Sequence, residues 1–300
     1  MHGATLLSLL AAGLASVTAA PSCKAPSGND PVATPAGEIK CPVVFDGRLP
    51  ASAALTDFDS YSTSLFNAEY VKGNNLKWSE IIKFPSALPA ARFDHGDDHK
   101  PFEVTISDQS IFMQQRGFRR AGLQFQGDTN NGSPGSRGVK TLHFSLRWDN
   151  QRPLNLSHEY LLTWHETAAY DANQFNFEAG AIIGQSNLPR DTYKVLDRNN
   201  RQVWSTPILK DAWQNFAIRL DFDRNTLQVF YSQGNEPLKS VTNAVYNNNA
   251  GEGQYQIGIL KKPTGTSDVV NSGYQSPNLD EGLIYGSLFV EDSANNCISL

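Results

Sequence analysis

Along most of this chain apolar residues recur at every second position, and that periodicity restricts the fold more than any other feature. Leu142, Phe144, Leu146 and Trp148 form one such run, Phe216, Ile218, Leu220 and Phe222 a second, and Leu227, Val229 and Tyr231 a third. Phe102-Glu103-Val104-Thr105-Ile106 alternates likewise, as do Tyr255, Ile257 and Ile259, and Ile284, Gly286, Leu288 and Val290. Successive side chains of a strand point to opposite faces, so period two marks strands with one buried face. Helical spacing is confined to a short piece from Leu76 to Ile82. The pattern predicts an all-β domain of two packed antiparallel sheets, a β-sandwich or jelly roll with a concave polar groove face.

Residues 4–20, ATLLSLLAAGLASVTAA, are the only long apolar run. They are too short, and too rich in small residues at their end, for a permanent membrane span. The run reads as a secretory leader over residues 1–20, although no Lys or Arg precedes it; a buried amphipathic helix is the competing reading. Residues 21–38 are rich in Pro, Ser and Gly and read as a flexible segment, which leaves 39–300 as one domain without repeats or further linkers. The expected product is soluble, extracellular and monomeric. Export permits disulfides. Of the three cysteines, Cys41 opens the first convincing strand and Cys297 closes the last, so these two are the expected pair, and Cys23 is left over. Asn131-Gly132-Ser133 and Asn155-Leu156-Ser157 are glycosylation sequons. No cysteine spacing matches a zinc or thioredoxin motif, and no cofactor or metal is expected.

A net charge of -5 without any block of like charges argues against nucleic acid or an anionic membrane as partner. The polar residues are instead ordered by parity on four consecutive segments. Phe118–Phe125 places Arg120, Gly122 and Gln124 on one face; Thr141–Arg147 places Thr141, His143, Ser145 and Arg147 together; Tyr160–Glu166 puts Trp164 and Glu166 opposite Thr163 and His165; Gln174–Glu178 carries Gln174, Asn176 and Glu178. Amides, guanidinium groups, an imidazole, carboxylates and an indole on one wall are the inventory of a polysaccharide groove. Arg120, Gln124, His143, Arg147, Trp164, Gln174 and Asn176 are its candidate sugar contacts. Glycoside hydrolysis needs two carboxyl groups flanking the scissile bond. Burial beside Trp164 would raise the pKa of Glu166, which makes it the leading catalytic candidate, with Glu178, Glu159 or Glu103 as partner. A lyase, pairing His143 as base with Gln174, Asn176 and Arg147 around a uronate, is the second enzymatic reading.

Six segments, in order, carry a family resemblance: CPVVFDGRLP from Cys41, FNAEYVKGNNLKWSEI from Phe66, KPFEVTISDQSIF from Lys100, GFRRAGLQF from Gly117, GVKTLHFSLR from Gly138 and RPLNLSHEYLLTWHETAAYDANQFNF from Arg152. From Cys41 to the C-terminus the chain resembles glycoside hydrolase family 131. The resemblance implies a secreted fungal β-jelly-roll enzyme acting on β-1,3-, β-1,6- and β-1,4-glucans, with a β-glucan or cellulosic polysaccharide as partner. It also implies a catalytic pair of glutamates on neighbouring strands. One corresponds to Glu166, with Glu159 as the alternative register. The other follows Arg-Arg-Ala, where this chain has Gly122, so the resemblance also admits a catalytically weakened glucan-binding protein.

Overall fold

A computed structural model describes residues 37–300. The leader read at 1–20, the Pro/Ser/Gly-rich segment as far as residue 36, and Cys23 lie outside the described residues. In chain order the strands are β1 (Val43–Asp46), β2 (Ile82–Lys83), β3 (Phe102–Ser107), β4 (Arg119–Leu123), β5 (Val139–Trp148), β6 (Glu159–Glu166), β7 (Asn173–Gly180), β8 (Thr192–Asp197), β9 (Gln202–Pro207), β10 (Gln214–Asp221), β11 (Thr226–Gln233), β12 (Lys239–Ser240), β13 (Val245–Tyr246), β14 (Gln254–Lys261) and β15 (Asp280–Asp292). The helical spacing after Leu76 yields a single turn, α1 (Trp78–Ile81), which anchors its Trp78 and Ile81 in the core. Among the described residues no helix is long and apolar enough to cross a membrane.

The strands form two antiparallel sheets. One has nine strands in the order β12-β11-β10-β5-β15-β3-β2, with β1 added to β15 and β13 to β11; the other has six, in the order β4-β14-β6-β7-β8-β9. The 13-residue β15 pairs with β5 on one side and, on the other, with β3 through its first half and β1 through its second. Alternate residues from the two sheets meet in one core. Leu142, Phe144, Leu146, Phe216 and Tyr285 face Leu123, Tyr160, Phe175, Phe177 and Ile257. Phe177 bridges the layers, its ring centroid 5.0 Å from Phe144 and 4.6 Å from Phe216. Burying each such side chain contributes about 1.5–3 kcal/mol. The expected Cys41–Cys297 disulfide is present and closes a sequence separation of 256 residues, clasping the ends of the domain.

Sheet membership corrects one expectation. Strand β5, which was to share a wall with β4, β6 and β7, pairs instead with β10 and β15 in the nine-stranded sheet. Its polar face, with His143 and Arg147, lies on that sheet's outer side and not in a groove on the other. There Phe93, Phe289, Ile39 and Ile298 form a second cluster. His143 is fully buried, its ring stacked on Phe289 at 4.4 Å and its Nε2 2.9 Å from Glu291 Oε1. Glu103 belongs to the same sheet. It accepts a two-pronged contact from Arg152 Nε and Nη2 at 2.8 and 2.7 Å, a structural ion pair.

Candidate functional site

On β4 the inward residues Ala121 and Leu123 enter the core, so Arg120, Gly122 and Gln124 project from the outer face of the six-stranded sheet. Strand β6 keeps Tyr160 and Leu162 in the core, but a register shift between Leu161 and Thr163 changes its parity. Leu161 and Trp164, three positions apart, therefore pack on the same outer face, together with Phe118 and Leu260. The shift also leaves Glu166 beside Trp164 on that face, while His165 points inward against Tyr255. Strand β14, remote in sequence, runs between β4 and β6. The two positions that the resemblance pairs, 122 and 166, are thus not on neighbouring strands. Their partners on β14 are Gly258 and Gln254, four residues apart, so the two positions are offset by about 13 Å along the strands as well as by about 10 Å across two inter-strand steps.

Above this sheet, loops carrying Asn67–Val71 and Phe112–Phe118 rise on the β4 side, and loops carrying Asn130 and Tyr170–Asn173 on another. They enclose a groove of about 730 Å³ whose lining includes Arg120, Gln124, Trp164, Glu166, Asn173, Gln254 and Lys262. Of the candidates, Arg120, Gln124, Trp164 and Glu166 are brought together here. Trp164 is only 1% exposed, covered by its neighbours, and forms floor more than platform. The open aromatic surfaces are Tyr70 and Tyr170, 46% and 64% exposed. Neither was singled out in the sequence, because neither sits in an alternating run. The available signal was a tyrosine inside an otherwise polar loop.

Glu166 is the groove's only carboxylate among the described residues. Burial raises its pKa, and the Arg120 charge opposes the rise. Arg120 is buried beside it, which pulls its own pKa down to about 10. Its Nη1 donates to Gln115 Oε1 at 3.0 Å, its guanidinium lies 5.8 Å from the Trp164 ring centroid, and its Nε has no partner among the described residues. The floor continues through amides: Gln124 Nε2 donates to Gln254 Oε1 at 3.4 Å. Next to these, Gln256 Oε1 is buried without a hydrogen-bond partner among the described residues, and a Cβ placed on Gly122 would stand 3.4 Å from it.

The remaining candidates have other roles. Gln174 is fully buried; its Oε1 lies 2.8 Å from His165 Nδ1 and its Nε2 donates to the Glu252 carbonyl at 2.8 Å, so it holds the end of the sheet and does not line the groove. Asn176 accepts from Asn173 Nδ2 at 2.7 Å, and it is Asn173 that reaches the groove. With His143 and Arg147 in the other sheet and Gln174 turned inward, the constellation required for a lyase is not assembled. Glu159 is tied to Lys262 Nζ and to the Ile183 N–H, 2.6 Å away. Glu178 is buried near it without lining the groove, and one of its carboxyl oxygens lacks a partner among the described residues. Asn131 and Asn155 are both exposed. Among the described residues no group of His, Cys, Asp and Glu could hold a metal ion.

Burial and, after it, the Glu159 charge push the Glu178 carboxyl up to about 8. The native state therefore holds a proton there that the unfolded chain releases near pH 4.5. This contribution to stability is present below the unfolded pKa and is lost as pH rises through the folded one. Below about pH 6.5 the buried His165, held down to about 4, works in the opposite direction, and toward pH 8 so does the neighbouring Lys194, held down to about 8, so the effect of Glu178 is cleanest at about pH 6.5–7.5. The melting temperature is expected to fall by several degrees across that window. Glu178→Gln, neutral throughout, should flatten the fall in a calorimetric pH series; an unchanged slope would contradict the assignment.

Comparison with known proteins adds three findings. Residues 43–296 match the family model described as the glycoside hydrolase 131 catalytic N-terminal domain. The crystal structure of a GH131 β-glucanase catalytic domain from Podospora anserina superposes with a TM-score of 0.68 at 17% identity, covering 86% of this chain and 97% of that one. That of the catalytic domain of the glycoside hydrolase family 131 protein from Coprinopsis cinerea gives a TM-score of 0.64 at 19% identity, covering 86% and 96%. At these identities the two structures speak for the fold. No curated protein sequence matches the chain.

Proposed function

We propose that this chain, which belongs to glycoside hydrolase family 131, is an exported β-glucan-directed protein. Its groove binds the polysaccharide beside Glu166, and its hydrolytic step is slow because the second carboxyl position is Gly122. The observation that carries this is the presence, among the described residues, of a single carboxylate in a groove lined otherwise by amides, the Arg120 guanidinium, the Lys262 ammonium, apolar side chains and rim tyrosines. Amides suit hydroxyl groups, and the exposed tyrosine rings suit the apolar faces of sugar rings. Glu166 retains the chemistry of one half of a glycosidase pair. It sits in an environment that raises its pKa, and no described residue competes for its carboxylate by hydrogen bonding. A two-carboxyl mechanism needs a second such group about 5 to 9.5 Å away, and the described residues of the groove offer none. Export is supported by the leader-like run ending at Ala20. Cleavage inside chains, across 1,3-, 1,4- or 1,6-linkages, is the expected residual activity.

The binding half is tested by isothermal titration with β-1,3- and β-1,4-gluco-oligosaccharides. Saturable binding is expected for the wild type. Tyr170→Ala should weaken it about fivefold, the loss of roughly 1 kcal/mol of aromatic contact, without lowering the melting temperature. No binding, or binding indifferent to Tyr170, would remove the groove from the account.

A further inference from the structure

Past the β4 edge the molecule carries a second recess, of about 600 Å³, which no part of the proposed reaction uses. Asn74, Gln109, Gln114, Arg116 and Arg119 line it, and it shares one residue, Met113, with the main groove. Met113 forms a fixed ridge between the two. Its N–H donates to Asn74 Oδ1 at 2.7 Å, and its carbonyl accepts from Asn74 Nδ2 at 2.9 Å. Consecutive side chains of β4 are divided by that ridge: Arg120 enters the groove and Arg119 the recess.

The recess is positive, whereas the chain as a whole carries -5. Among the described residues it contains two guanidinium groups and no carboxylate. Asp108 is the acid that acts on Arg119, and its carboxylate is engaged by the Asn278 and Leu279 N–H groups. Arg119 spends one terminal nitrogen, Nη1, on the Arg116 and Phe118 carbonyls, both at 2.9 Å, and its buried Nε has no partner among the described residues. Arg116 is exposed. Guanidinium donors facing the same space match a carboxylate, and the amides around them match ring hydroxyls. Those two chemistries belong to one ligand class, a uronic acid.

We propose that this recess is an accessory subsite for a uronic acid residue carried by the polysaccharide in the main groove. The proposal rests on the glucan reading of that groove and extends it: a chain lying across the six-stranded sheet and over β4 meets Met113 and then the two arginines.

The test uses a matched pair of ligands, a neutral gluco-oligosaccharide and the same oligosaccharide with its terminal glucose oxidised to glucuronate. Both are titrated into the full chain as wild type, Arg116→Gln and Arg119→Gln. The acidic ligand is expected to bind about tenfold more tightly to the wild type, the scale of one charge-assisted hydrogen bond. Either substitution should remove most of that preference while leaving the neutral ligand's affinity unchanged, and salt at about 1 M should suppress it. Arg116→Gln alters an exposed side chain, so it separates binding from folding. Equal affinity for the two ligands in the wild type, or a preference that survives both substitutions, overturns the proposal. If the neutral ligand does not bind at all, the glucan reading of the groove fails. The recess is then judged on the acidic ligand alone: arginine-dependent binding sustains it, and no binding overturns it.

Discussion

Gly122→Glu is expected to raise the rate of β-glucan hydrolysis by about 10²–10⁴-fold, the usual scale of a positioned acid or base. The position can take the side chain. Gly122 does not adopt the left-handed backbone that would demand glycine, and a Cβ there meets nothing closer than Gln256 Oε1 at 3.4 Å and Val71 at 3.8 Å. Its cross-strand partner differs: Gly258 has φ +147°, and a Cβ on it would lie 2.1 Å from the Ala121 carbonyl. Of the two facing glycines, then, only Gly258 is required by the backbone. A carboxyl at position 122 would also find a partner waiting. Gln256 Oε1 is buried and accepts no hydrogen bond from the described residues, and it would accept one from a protonated carboxyl. A hydrogen bond to the neutral form raises a pKa, which suits the residue to the acid role and leaves Glu166 to work ionised. The two positions are offset by four residues along β14 as well as by two strand spacings, so the two glutamate side chains would have to lean toward each other to approach the wider range that accompanies inversion, about 6.5–9.5 Å. Reducing-end release by wild type, Gly122→Glu and Gly122→Ala measures the gain, and the alanine variant separates it from any change in strand stability. Robust wild-type turnover with no gain on adding the carboxyl would show that another group already does the work.

The alternation along β5, β10 and β14 made the sandwich legible, because burying one face of a strand leaves its mark on every second residue. It could not tell one sheet from the other. The apolar parity of Leu142, Phe144 and Leu146 is as good for the nine-stranded sheet as for the six-stranded one, and polar residues facing outward look the same over a groove as under a covering segment. His143 and Arg147 were misplaced for that reason. Gln174 was misplaced by a local irregularity: register shifts in the β6–β7 pairing turn it toward His165 instead of the groove. The other shift, between Leu161 and Thr163 on β6, did no harm to Trp164 and Glu166, which stay on one face because it lies before both. Gln254 and Gln256 went unremarked although the parity of Tyr255, Ile257 and Ile259 implies an outward face for them. Nothing local to β14 indicates that it inserts between β4 and β6. Such contacts are fixed by chain topology, which a residue pattern within one strand does not encode.

Glu166→Gln is expected to abolish whatever hydrolysis the wild type retains, and to remove about 10²–10⁴-fold in the Gly122→Glu background, while oligosaccharide affinity is kept. Glutamine has nearly the same shape and retains hydrogen bonding to a sugar hydroxyl, so loss of turnover without loss of binding isolates the carboxyl's proton or charge. The neighbouring arginine supplies a second, independent readout. Arg120 is the charge that holds the Glu166 pKa down against its burial, so Arg120→Met should let that pKa rise further. If Glu166 works ionised, activity is present above its pKa and is lost as pH falls through it. The acidic limb of the pH–rate profile must then move to higher pH in Arg120→Met. If Glu166 works protonated, activity is lost as pH rises through its pKa, and the basic limb would move instead, also upward. A profile that keeps both limbs in place while turnover falls would mean that Arg120 acts only by packing against Trp164, 5.8 Å away. In that case Glu166 is not the group whose titration controls the reaction.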